Sequence, residues 1–103
     1  MTVVVTAVFH PLEGRRDELV DALRATIPAV HAEEGCLLYA IHDASDGTIM
    51  MIEKWATPEL LQAHAEGAAV VALNAAVGDL LAAPTTVTTM TPIPVGGEEQ
   101  GLL

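Results

Sequence analysis

The histidine at position 64 carries a group able to move a proton near neutral pH, since an imidazole titrates around 6.5 and accepts a proton from a phenolic or enolic group. It lies among Leu60, Leu61 and Ala63 in a segment of helical pattern, nine positions after Trp55. Upstream, Tyr39 and His42 offer a hydroxyl and a ring nitrogen that can orient a ligand oxygen. Met51, Glu53 and Trp55 share one face by strand alternation, and Trp55 gives a flat surface for stacking on a planar ring. Each has a structural use as well. His64 can bond a carbonyl or a strand side chain, Trp55 can anchor the core, His42 can sit at the surface, and an internal Glu53 requires a partner such as Arg24, Lys54 or a histidine.

Other chemistries find little support in the residue pattern. Cys36 follows Gly35 in an apolar run with no second cysteine and no activating base, which predicts a buried inert thiol. The four histidines stand on separate segments with no HExxH or paired Cys/His spacing, so no metal is expected. There is no glycine-rich phosphate loop, nucleotide fingerprint or G-x-S-x-G elbow. The pairs Glu33-Glu34 and Glu98-Glu99 read as solvated charge.

The elements that must position these groups follow from periodicity. Residues 2–10, TVVVTAVFH, are β-branched and apolar throughout, as in a strand covered on both faces. Leu19, Val20, Leu23, Ile27 and Val30 line one face of a helix, with a kink or break expected at Pro28 and a last turn through His31. Cys36 to Asp43 and Thr48 to Trp55 are strands joined by Ser45-Asp46-Gly47. Thr57 caps the next helix with Pro58 at its first position; it bends at Gly67 and ends before Pro84. Residues 85–92 form the last strand, and 93–103 a flexible tail or one draped over a neighbouring subunit.

This order, β-α-β-β-α-β, predicts a single ferredoxin-like α+β domain over residues 1–92, with both helices on one face of an antiparallel sheet. Tyr39, Ile41, Ile49, Met51 and Trp55 face one way, and Cys36, Leu38, Ala40, Met50 and Ile52 the other. Both sets are apolar, and in a chain of 103 residues that is 51% hydrophobic the uncovered sheet face calls for a second copy, a homodimer closing an α+β barrel. A net charge of −10 argues against nucleic-acid and membrane-surface partners. The apolar start lacks a basic leader, no run reaches the roughly 18–20 apolar residues of a membrane helix, and the expected location is the cytoplasm.

The run EGCLLYAIH, a hairpin, IEKW and then His64 resemble the antibiotic biosynthesis monooxygenase family over about residues 1–92. The resemblance implies a dimeric α+β barrel and a cofactor-independent oxygenation of a small aromatic quinol or polyketide-like substrate by dioxygen. His64 would be the base, Tyr39 or His42 the orienting donors, and Trp55, Met51, Glu53 and Asn74 the binding surface. Relatives continue past this histidine with Ser-Pro-His-Phe, whereas Gly67, Ala68, Ala69 and Val70 stand here. The haem-degrading branch places an Asn on the first strand, which is missing, and His64 and Asn74 stand near its Trp and His. Two other functions stay open: a non-catalytic small-molecule-binding or stress-related dimer, and an isomerase using one general base, which anaerobic turnover would reveal.

Overall fold

The computed structural model describes residues 1–103 and follows the expected order: β1 (Val3–Pro11), α1 (Arg16–His31), β2 (Cys36–Asp43), β3 (Ile49–Trp55), α2 (Pro58–Ala65), α3 (Ala68–Val77), β4 (Leu81–Met90) and a one-turn α4 (Glu98–Gly101). The strands form one antiparallel sheet in the order β2-β3-β1-β4. The two longest strands, β1 and β4, pair side by side, so the β-branched run of β1 occupies the middle of the sheet as its composition requires. Val3, Val5, Ala7 and Phe9 are buried on the helix side, packed against Leu19, Leu23, Ile27 and Val30 of α1 and Leu73 and Val77 of α3.

Local chemistry sets the boundaries. Thr57 accepts a hydrogen bond from Leu60 N at 3.2 Å, with Pro58 opening α2. In the β2–β3 hairpin, Asp46 Oδ1 accepts from Thr48 N at 3.0 Å and from its hydroxyl at 2.6 Å, and Gly47 takes φ +89°. The helix runs unbroken through Pro28 to His31, so no break occurs there.

Two boundaries differ from expectation. The segment after Gly67 is not helical as far as Ala83: α3 ends at Val77, a 3-10 turn spans Gly78–Leu80, and Leu81 already belongs to β4. Pro84 therefore lies inside a strand. It is tolerated because β4 is the sheet edge and the β1–β4 register shifts between Val8 and Pro11, leaving Pro84 opposite no paired residue. The second difference is Cys36. A register shift between Cys36 and Leu38 pairs Cys36 with Trp55, which turns the thiol to the helix side with Tyr39, not to the open face with Leu38 and Ala40. Burial pushes the Cys36 thiol up, with Glu33 and Glu53 adding to it.

Gly35 joins α1 to β2 at φ +81°, and a Cβ there would meet Leu60 Cδ1 at 2.5 Å. Gly35→Ala is expected to lower unfolding free energy by about 2 kcal/mol or more, from left-handed backbone strain and this clash, measured by urea titration. The substitution also disturbs the seat of α2, so it is a test of the scaffold rather than of chemistry.

No single helix is long and apolar enough to cross a membrane. α2 and the segment Ala68–Leu80 reach that length and composition together, but they bend by 53° where Gly67 intervenes, and Leu73, Val77 and Leu80 pack into the core. Residues 93–103 leave Ile93 and Val95 exposed.

Candidate functional site

His64 is the one buried side chain of α2. The helix starts where the Thr57 cap fixes it, and two turns later the ring is delivered onto the sheet, 5% exposed. Its Nδ1 stands 2.6 Å from Glu33 Oε1. A carboxylate only accepts, so Nδ1 carries the proton and donates; Nε2 of the neutral ring is then a free base. Glu33 thus departs from its reading as solvated charge. It is brought back by the tight turn through Gly35 at the end of α1, and the Gly67 backbone lies against its other oxygen, where a Cβ would come within 2.9 Å.

Beneath the imidazole lies Trp55, fully buried and stacked on it with centroids 4.5 Å apart and planes at 28°. Tyr39 meets both rings edge-on, 5.4 Å from His64 and 6.3 Å from Trp55. The indole N–H donates to Glu53 Oε1 at 3.0 Å. The partner of this buried carboxyl is therefore an indole rather than Arg24 or Lys54. Burial raises the Glu53 pKa from the usual carboxylate range, while the Trp55 hydrogen bond and the nearby His64 pull it back.

Tyr39, Glu53 and His64 border one cavity of about 510 Å³ between the sheet and the α2–α3 pair. Val5, Ala7 and Phe9 of β1 form its floor, and Leu61, Val70 and Leu73 its helical wall. Polar groups enter at few points: Tyr39, Glu53 and His64 from one end, Gln62 and Asn74 from the helices, and Thr85 and Thr89 from β4. No fully buried side-chain nitrogen or oxygen lacks a partner, so the Tyr39 hydroxyl and His64 Nε2, which bond to no protein group, face the cavity they line. Burial pushes the Tyr39 hydroxyl well up, with Glu53 and Glu33 adding to it, so it remains a donor at neutral pH.

Of the residues singled out in the sequence, Tyr39, Glu53, His64 and Asn74 line this one cavity. His42 does not. It lies one residue out of phase with Tyr39 and Ile41, is exposed, and uses Nδ1 on Met50 O at 3.2 Å. Trp55 and Met51 are both fully buried and outside the cavity lining; Trp55 serves as the platform for His64. Glu33, Gln62 and the β4 threonines were missing from the expected set. No local signal marks Glu33, since its partner is 31 residues away. The three Cys, His, Asp or Glu side chains needed to hold a metal ion do not converge anywhere.

The family model described as antibiotic biosynthesis monooxygenase matches residues 2–76. Rv0793 of Mycobacterium tuberculosis, provisionally named a monooxygenase, is 32% identical over 92 residues, which span 88% of this chain and 91% of the relative. Its solved structure aligns with a TM-score of 0.84 at 30% identity, covering 94% of this chain and 100% of that one. A structure from Methanosarcina mazei, described only as a conserved protein, shares the fold with a TM-score of 0.81 at 17% identity, over 87% and 91% of the two chains. With the matched model spanning the first three strands, all of α2 and most of α3, this chain belongs to the antibiotic biosynthesis monooxygenase family.

Proposed function

We propose that the protein is a cofactor-independent monooxygenase of small aromatic hydroxy compounds, quinols or polyketide-like polyphenols, with His64 as the base. The observation that carries this reading is the His64 ring itself: Nδ1 held by Glu33 at 2.6 Å and Nε2 open to a mostly apolar cavity. A bound substrate gives a phenolic or activated C–H proton to Nε2, and Glu33 stabilises the imidazolium formed. The Tyr39 hydroxyl donates to the substrate oxygen as its charge develops. The electron-rich anion then passes electrons to dioxygen. One oxygen atom becomes a carbonyl on the oxidised ring carbon, and the other leaves as water with that carbon's hydrogen and the phenolic proton first taken by His64. The monooxygenase name borne by the Mycobacterium relative supports the same reading.

The working unit in this proposal is a homodimer. Val8, Leu38, Ala40, Met50 and Ile52 lie on the sheet face opposite the helices, only partly covered within the chain, beside the exposed Leu37. A second copy laid on this face would bury them. Sedimentation at micromolar concentration tests it.

Oxygen uptake by the purified protein with a panel of quinols and anthrones tests the activity; no uptake with any of them, beside a bound but unchanged ligand, would favour a non-catalytic binding protein. Glu33→Gln is expected to lower the rate about tenfold at unchanged substrate affinity, because glutamine still accepts from Nδ1 but does not offset the imidazolium charge. An unchanged rate would remove Glu33 from the mechanism.

A further inference from the structure

We propose, building on the cavity as the substrate site, that Glu53 makes it selective for uncharged hydroxyarenes over their carboxylated counterparts, the substrate entering neutral and becoming an anion only at His64. Glu53 is 5% exposed and lines the cavity. One carboxyl oxygen is held by the Trp55 indole at 3.0 Å. The other bonds to no protein group and, since no fully buried polar atom lacks a partner, opens to the cavity.

No Lys or Arg in the lining compensates for a second negative charge. None of the four Lys and Arg residues borders the cavity. Arg15, Arg16 and Arg24 are paired at the surface with Glu18, Asp43 and Asp21, and Lys54 lies on the opposite sheet face, paired with Val4 and Leu38. Of the other polar groups, those of Tyr39, Gln62, Asn74, Thr85 and Thr89 are neutral donors and acceptors, and His64, the one lining group able to become a cation, already has Glu33 against its Nδ1. A ligand carboxylate would lose its water, gain no unpaired cation and stand in reach of Glu53. A ligand hydroxyl instead donates to the free Glu53 oxygen and satisfies it. The chain's net charge of −10 opposes anions too, but that field is screened beyond about 8 Å at physiological salt, whereas a charge inside the cavity is screened much less.

The test is anaerobic titration of the purified full chain with a naphthol and the matching naphthoate, so that shape is shared and turnover is not required. Measurement at about pH 8 keeps the naphthol neutral and lies above the ordinary carboxylate range, which burial extends upward for Glu53. Naphthol is expected to bind at least about tenfold tighter, at both low and high salt, and Glu53→Gln to shrink that ratio about tenfold, mainly by tightening naphthoate. Glutamine keeps an acceptor for the Trp55 N–H, so the variant retains the local hydrogen bond. Equal affinities in the native protein, or an undiminished ratio in folded Glu53→Gln, would overturn the proposal. Should the variant fail to fold, the native salt series decides: a preference that vanishes with salt belongs to the surface field and not to Glu53. Binding of neither ligand overturns the cavity reading with it, while loss of preference alone overturns only the role of Glu53.

Discussion

His64→Ala is expected to reduce oxygen uptake about 10²–10⁴-fold while the cavity still binds an uncharged aromatic. The size follows from what is removed. His64 Nε2 is the one ring nitrogen on the cavity surface with no protein partner, while Tyr39 is held protonated and Glu53 already accepts from the Trp55 indole. Without it the substrate proton must go to water or to Glu53, in a lining chosen for neither. The side chain also has structural duties, stacked on Trp55 and bonded to Glu33, so some stability will be lost. Affinity separates the two. A variant that binds naphthol near the native affinity and fails to consume oxygen has lost chemistry, whereas one that loses both in step has lost its fold. Retention of full turnover by folded His64→Ala would eliminate this residue as the base.

The largest expected effect on stability is that of Trp55→Ala, a loss of about 3–5 kcal/mol in urea unfolding. Trp55 is fully buried at the end of β3, pairing with Val3 on one side and Cys36 on the other. Its removal opens a cavity beneath His64 and strips Glu53 of its donor, leaving a buried carboxyl unsatisfied. Against a total of about 5–15 kcal/mol for a domain of this kind, such a loss threatens folding outright. Trp55→Phe keeps most of the ring contact and loses only the N–H, so it is expected to cost about 1–2 kcal/mol. Equal losses for the two variants would mean that the indole hydrogen bond, not packing, is what β3 needs from this position.

How much of this could be seen in the residues varies by element. The β1 run, the Asp46-Gly47 hairpin and the Thr57-Pro58 helix start were all readable, because each is decided by neighbours within a few positions. The end of α3 was not. Leu81, Ala82 and Ala83 have helical composition, yet pairing of β4 with β1 takes them into the sheet, and Pro84 is harmless only because the strand is an edge with a shifted register. Cys36 shows the same limit: one irregular pairing between Cys36 and Leu38 moves its thiol to the opposite face, which strict alternation cannot foresee.

The site divides in the same way. Residue type alone singled out His64, Tyr39 and Glu53 as groups with suitable chemistry, and spacing placed them on elements that could meet. Family order added Asn74. What only the tertiary structure decided is the state of the base. Glu33 looks like surface charge in the chain, and becomes the partner of His64 because the turn at Gly35 and the packing of α2 bring together groups 31 residues apart. The same packing sends His42 to the other side of the sheet and turns Trp55 from a substrate wall into the platform under the imidazole. Sequence determined which side chains can exchange protons, since that is a property of each residue; their tautomer, partner and access to a cavity depend on long-range packing, and so were decided by the fold.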